Sequence, residues 1–445
     1  MDLTPRGYHV DATTWFYLSL LLILAVFFRF HRVWSLRNAD LALLLSASPG
    51  LLLVQSGVQR TLGFAWLFVV TGIFLVRLLL DGLFQRRPHT TQNMNPAGMG
   101  FLCGAAFLLL TMHAISEPLP DATQQTFQRA DDIITRTDRT ETSAPAEDTE
   151  PIESGPTGVV IGAASNILFS DLAPRVMSMM AHLGVILGLM FVGRNLFGDL
   201  QLGLAMATLY LLLPCTAYDV GQFNHVLPAA LIVWAFVAYR RPVVSGSLLG
   251  LACGTLFFPL FLVPLWAAYY GRKQGGRFLL AMGIVFAALL GSYALTSSGA
   301  DSFWRQTIGT FRPTVLAFEG TDGVQGFWDA GEYGSPYRIP VIVGYFLMLV
   351  ALTVWPRKKS AEQLIAHSAA LIVGTQFWYP QQGGVYLLWY LPILLMAVFR
   401  PRIGHLEDNA AANGVSSVTS LRGGHVGPPN RRAAGGRLHR VQLFR

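Results

Sequence analysis

Long apolar segments separated by short polar connectors run along almost the whole chain. Within them Leu, Ala, Val and Phe follow one another without the alternation of apolar and polar positions that membrane-spanning strands show. Because the bilayer core offers no water to backbone amides, such segments cross it as helices. The pattern therefore predicts an all-α polytopic membrane protein. The apolar segments lie near residues 14–28, 40–56, 62–84, 98–115, 174–193, 196–214, 225–239, 243–270, 278–296, 338–355, 361–378 and 383–399.

The composition supports a membrane class. Of the 445 residues, 53% are hydrophobic and 13% are charged, whereas soluble domains carry about 25% charged residues. This excludes a soluble enzyme and a nucleic-acid-binding domain, so nucleic acid is not expected as a partner. The three cysteines form no CxxC pair and the histidines stand alone, so neither a metal site nor a cofactor is expected.

Basic residues concentrate in alternate connectors between the apolar segments, and positively charged connectors stay in the cytoplasm. The clusters are Arg29, Arg32 and Arg37; Arg86 and Arg87; Arg194; Arg240 and Arg241; Arg272, Lys273 and Arg277; Arg357, Lys358 and Lys359; Arg400 and Arg402. We therefore expect a multi-pass protein of the inner (plasma) membrane, with an extracytoplasmic N-terminus and a cytoplasmic C-terminus.

Residues 242–271 break this alternation, because basic clusters flank both ends. A single crossing would place one cluster outside, whereas two half-helices that turn near Phe257–Pro259 keep both inside. Irregular backbone at membrane depth is tolerated only beside protein or a water-filled cavity. The sequence predicts about 11 transmembrane helices plus a re-entrant helical hairpin. One long tilted helix is the alternative.

Four regions follow from this topology, with two large extracytoplasmic loops. Residues 1–115 form an N-terminal four-span bundle. Residues 116–173 form an acidic extracytoplasmic loop that ends in an interfacial helix. Residues 174–399 form a C-terminal bundle with the outer loop 297–338, and residues 400–445 form a disordered basic cytoplasmic tail.

Two groups of residues could contact a hydroxylated or phosphorylated substrate at the outer face. The first is a polar run before an apolar helix, although helix capping and an exposed loop would explain it as well. It contains Asp219, Gln222, Asn224 and His225.

The second group combines aromatic rings that can stack on sugars with arginines that match phosphate oxygens, although both types also anchor helices at the headgroup level. It contains Trp304, Arg305, Arg312, Trp328 and Trp378.

The order of motifs resembles the C-type glycosyltransferases. A GQxN run at 221–224 is followed by the small-residue helix 246–252, by the segment 259–264 with a proline at each end, and by the basic pair Arg272-Lys273. This combination is most similar to the bacterial branch that uses polyprenyl-phosphate mannose, glycosyltransferase family 87.

The resemblance implies an inverting transfer of a sugar, possibly mannose, from a lipid-linked donor at the extracytoplasmic face, with membrane lipids as further partners. It calls for a carboxylate base in an outer loop, for which Asp121 and Asp171 are the candidates, and for a phosphate ligand, for which Arg305 and Arg312 are the candidates. Leu256 stands where related sequences often carry a lysine. A transporter or flippase and a non-catalytic scaffold of envelope assembly are the alternative functions.

Overall fold

The computed structural model describes residues 12–57, 59–84, 92–135, 155–296, 326–328, 337–380 and 382–401. Trp304, Arg305 and Arg312, much of the acidic loop and nearly all of the basic tail lie outside these ranges. Within them the regular secondary structure is helical throughout and no strand is present, so the prediction of an all-α protein is confirmed.

The helices, numbered in chain order, overlap every apolar segment that the sequence predicts to be helical. They are α1 Ala12–Phe27, α2 Leu36–Ser56, α3 Arg60–Leu79, α4 Pro96–Ser116, α5 Asp121–Thr135, α6 Pro156–Phe169, α7 Ala173–Asn195, α8 Leu200–Leu212, α9 Pro214–Tyr218, α10 Phe223–Val237, α11 Pro242–Cys253, α12 Val263–Thr296, α13 Arg338–Val354, α14 Ala361–Trp378 and α15 Leu391–Phe399.

Five helical stretches of the described chain are long and apolar enough to cross a membrane: 36–56, 60–79, 96–116, 156–195 and 258–294. Several shorter apolar helices, including α10, α11 and α13, accompany them. These findings support a multi-pass membrane protein, while the number of about 11 spans stays a prediction from the sequence.

Polar residues set where several helices begin. The side chain of Asn95 accepts a hydrogen bond from the Gly98 amide at the start of α4, where Pro96 occupies the first turn. Asp199 caps α8 in the same way, and Ser360 and Gln363 form a reciprocal capping box on α14. These contacts satisfy amides that have no partner within the helix, so the sequence fixes these boundaries locally.

Glycine allows neighbouring helices to approach closely at two places. A Cβ atom on Gly193 of α7 would lie 2.4 Å from the Gly203 Cα atom of α8. A Cβ atom on Gly246 of α11 would lie 2.3 Å from the Phe278 carbonyl oxygen of α12. Small residues at helix interfaces are typical of membrane proteins, where close backbone contact replaces the hydrophobic driving force.

The chain reverses direction within residues 242–271. After α11 it passes through a short 3₁₀ helix at Phe258–Leu262 and enters α12, whose backbone bends at Gly271 (φ 69°). The Tyr270 hydroxyl donates a hydrogen bond of 2.6 Å to the Tyr239 carbonyl oxygen, so the two ends of the segment lie side by side. The remainder of α12 then runs along α11 in the same direction.

A buried set of ion pairs joins α2, α3, α14 and the end of α15. Arg77 forms ion pairs with both Asp40 (2.7 Å) and Asp81 (2.9 Å), the latter four residues further along the chain. Arg400 contacts Asp81 and Glu362. Buried charges need partners. Here the partners come from helices that are far apart in sequence, so the ion pairs connect those helices.

The contact at Gly246 yields a test of the α11–α12 packing. Gly246→Ala should lower the free energy of unfolding by about 1–3 kcal/mol, because the new methyl group meets a backbone carbonyl that cannot rotate away. Gly283→Ala on α12 is the matched control, since no heavy atom lies within 4 Å of its added Cβ atom. Thermal unfolding of the purified variants measures the difference, and equal melting temperatures would contradict this packing.

Candidate functional site

The polar turn, residues 219–222, connects α9 to α10 and carries the predicted substrate-binding residues Asp219 and Gln222. Its backbone closes on itself, because the Gln222 amide donates a hydrogen bond of 3.0 Å to the Asp219 carbonyl oxygen. The side chains of Asp219 and Gln222 are half-buried. Among the described residues, Gln222 Oε1 has no hydrogen-bond partner although it is buried. The turn thus presents a carboxyl and an amide whose polar atoms a ligand could satisfy.

Helix α5 packs against this turn and against the start of α10. The Asn224 side-chain amide donates to the Ala122 carbonyl oxygen (3.1 Å) and lies 3.0 Å from Thr126 Oγ1. The Thr123 hydroxyl donates to the Gly221 carbonyl oxygen at 3.0 Å. Asn224 is only 3% exposed, so its side chain joins two helices rather than facing solvent. The sequence did not predict α5, because its polar residues obscure the apolar pattern.

The two predicted bases occupy different positions around the turn. Asp121 is the first residue of α5, next to Ala122, and is exposed. Asp171 is also exposed and lies in the 3₁₀ helix between α6 and α7. The helix that carries Asp121 therefore contacts the polar turn directly through its first two turns.

His225 is held by Trp389 from the segment before α15. The Trp389 indole Nε1–H donates to His225 Nδ1 at 2.6 Å, and the two rings stack with centroids 5.8 Å apart. Because Nδ1 accepts this bond, the neutral imidazole carries its proton on Nε2. His225 thus has a defined tautomer with a donor on its other nitrogen.

An aromatic cluster joins His225 to the turn of the predicted hairpin. Trp389 stacks on Phe258 with centroids 4.6 Å apart and on Tyr386 at 4.4 Å. Phe257 stacks on Tyr379 at 5.0 Å, and the rings of Phe257, Tyr379 and Tyr386 remain partly exposed. The start of α10 and the hairpin turn, distant in sequence, therefore meet through these rings.

Two of the predicted tryptophans occupy packed positions. The Trp328 indole donates to the Phe377 carbonyl oxygen at 2.7 Å. Trp378 is 2% exposed and lies against Phe257, with centroids 6.1 Å apart. The Arg338 guanidinium donates to the Trp378 carbonyl oxygen at 3.0 Å, which fixes the end of α14.

The site contains residues that the sequence did not single out, chiefly Tyr386, Trp389 and Phe257. For Tyr386 and Trp389 the available signal is the density of aromatic residues between Phe377 and Tyr390, where Trp378 is the predicted substrate-binding residue. Among the described residues, no group of three or more His, Cys, Asp or Glu side chains is arranged to hold a metal ion.

Burial raises the pKa of the Asp219 carboxyl to about 7. The folded protein therefore keeps this proton between about pH 4 and pH 7, whereas the unfolded chain loses it. Since the folded state then binds more protons, the contribution of Asp219 to stability falls as the pH rises through this range. A carboxyl that titrates near neutral pH suits proton transfer or hydrogen bonding to a substrate hydroxyl.

Asp219→Asn should therefore stabilise the fold, because the amide cannot ionise. We expect its melting temperature to exceed that of the wild type at pH 8 by roughly 2 °C or more, with a smaller difference at pH 5. Thermal unfolding at both pH values measures this, with the exposed Asp171→Asn as the control. A difference that does not change with pH would show that burial does not penalise the ionised carboxyl.

A comparison with known protein families identifies the family of this chain. No curated protein and no solved structure matches it. The profile of glycosyltransferase family 87 matches residues 155–378, about half of the chain. The match begins at α6 and includes the polar turn, the hairpin turn and Trp378. The chain therefore belongs to glycosyltransferase family 87.

Proposed function

We propose that this membrane glycosyltransferase moves a sugar, mannose being one candidate, from a polyprenyl-phosphate donor to an acceptor at the extracytoplasmic face. Membership of family 87 supports the transferase class. The observation that supports the proposal further is that the start of α10 contacts both the carboxylate-bearing end of α5 and, through Trp389, the hairpin turn. A lipid-linked donor can reach such a site by diffusing along the membrane.

In an inverting transfer, the acceptor hydroxyl attacks the anomeric carbon and a new C–O bond forms. The bond between that carbon and the phosphate oxygen breaks, and the lipid phosphate leaves with the electron pair. A carboxylate takes the proton from the acceptor hydroxyl. Asp121 is the preferred base, because the contacts of Thr123 and Asn224 fix the start of α5 on the polar turn. Asp171 is the alternative base.

The remaining groups have the chemistry to bind a sugar phosphate. Asp219 and Gln222 can bond to sugar hydroxyls, and the exposed parts of Tyr379 and Tyr386 can stack on the sugar ring. His225 can donate from Nε2 to a phosphate oxygen, where added hydrogen bonds stabilise the leaving group. Asn224, Trp328 and Trp378 would support these groups by packing. Arg305 and Arg312, with Trp304, are proposed to bind the phosphate from the outer loop.

The orientation in the inner membrane belongs to the same proposal. If both ends of 242–271 face the cytoplasm, cysteines at Arg241→Cys and Lys273→Cys should resist an impermeant maleimide until the membrane is permeabilised. Both native residues are exposed, and the native cysteines are buried and should react little. Ser116→Cys, at the end of α4, is the control that should label from outside. Labelling of positions 241 and 273 from opposite sides would overturn this topology.

The transferase activity itself is tested with membranes that contain the protein and radiolabelled polyprenyl-phosphate sugars, supplied one sugar at a time. We expect transfer of at least one sugar in the wild type. Asp121→Asn should lower that transfer about 100-fold or more while expression stays normal, because the exposed side chain adds little to stability. Asp171→Asn is compared in parallel.

Asp199→Asn serves as the matched control, since Asn caps the start of α8 as well as Asp does. It should transfer sugar at the wild-type rate. Full activity in Asp121→Asn, in Asp171→Asn and in the double variant would remove the proposed base. Failure of the wild type to transfer any sugar would favour the scaffold or transporter function.

A further inference from the structure

Helix α7 contacts the polar turn through two buried side chains. His182 Nε2 lies 3.1 Å from the Val220 carbonyl oxygen, and Ser178 Oγ lies 3.2 Å from the Gly221 carbonyl oxygen and 2.9 Å from the Pro174 carbonyl oxygen of its own helix. His182 and Ser178 are 0% and 1% exposed. Since Gly221 also accepts from Thr123, two successive carbonyls of the turn are held by side chains from α5 and α7.

The partners of His182 determine its tautomer. A carbonyl oxygen only accepts, so Nε2 must carry the proton that bonds to Val220. In the neutral imidazole Nδ1 is then an acceptor, and the Tyr210 hydroxyl, 2.8 Å away, donates to it. The imidazole is thereby fixed at both nitrogens, one bonded to α8 and the other to the turn.

Tyr210 links His182 to the Asp219 carboxyl of the turn. It is 1% exposed, and its own carbonyl oxygen accepts a hydrogen bond of 2.6 Å from Thr216 Oγ1 at the corner between α8 and α9. Asp219 lies close enough to act electrostatically on both Tyr210 and the Cys215 thiol. Tyr210 from α8 and Cys215 from α9 are thus two titratable groups near this carboxyl.

We propose that His182 is a positioning residue, which holds the Val220 carbonyl so that the turn presents Asp219 and Gln222 to the substrate. The role follows from geometry: a fully buried imidazole, hydrogen-bonded through both nitrogens, holds the carbonyl of Val220, which lies in the chain between Asp219 and Gln222. It rests on the proposed function, in which Asp219 and Gln222 contact the sugar. Catalytic groups need such support because small misplacements reduce rates strongly.

The test follows the protonated Asp219 carboxyl by infrared difference titration of the purified full chain, with the band assigned by its loss in Asp219→Asn. The wild type should titrate near pH 7. His182→Ala should shift the midpoint down by about one pH unit or more, because the turn loosens and water reaches the carboxyl. His182→Gln retains an N–H donor and should restore most of the wild-type midpoint.

Ser368→Ala is the control for loss of a buried side-chain hydrogen bond, since it removes the partner of the Trp266 indole (3.2 Å) far from the turn in sequence. Its midpoint should equal that of the wild type. Tyr210→Phe keeps the ring and removes the hydroxyl, so it should shift the midpoint in the same direction by less. If His182→Ala does not fold, Tyr210→Phe decides the test.

Sugar transfer is measured on the same samples, and kcat in His182→Ala should fall about tenfold or more with KM changed less. An unchanged midpoint in His182→Ala, an equal shift in Ser368→Ala, or no restoration by His182→Gln would overturn the positioning role. A shifted midpoint in a protein whose wild type transfers no sugar would instead overturn the proposed function. The two failures are therefore distinguishable.

Discussion

The candidate site depends on the requirement that buried backbone carbonyls find hydrogen-bond donors. The polar turn lies where α8, α9 and α10 meet, and its carbonyls at Val220 and Gly221 point into the protein. Helices α5 and α7 supply the donors, and in doing so they determine how the turn sits. In the proposed function, Asp219 and Gln222 of the same turn contact the substrate.

The aromatic cluster gives the site its second boundary. Trp389 donates to His225 and stacks on Phe258, so one indole connects the start of α10 to the hairpin turn. Such rings bury a large area at low entropic cost. Leu256, an apolar residue next to Phe257 of this cluster in the chain, is 9% exposed and offers no positive charge. The positive charge for a phosphate is therefore proposed on the outer loop.

The Asp219 carboxyl lowers the stability of the fold at neutral pH. Burial raises the pKa of this carboxyl to about 7. At neutral pH the carboxyl is therefore partly ionised in a buried place, which lowers the stability of the fold. Arg77 and Arg400 show the contrasting solution, in which buried charges are paired with Asp40, Asp81 and Glu362 and serve packing. The polar turn differs from this arrangement, because among the described residues Gln222 Oε1 is buried without a hydrogen-bond partner.

The sequence alone determined the helical membrane class, because a lipid core forces every apolar segment to satisfy its own amides. It also identified the polar run 219–225 and the family motifs, since both are local patterns. It could not give α5 its place against Gly221, nor pair His182 with Tyr210 and Val220, nor bring Trp389 to His225. Those contacts join residues that are tens to more than a hundred positions apart. Only the tertiary packing of the helices decides which of them meet.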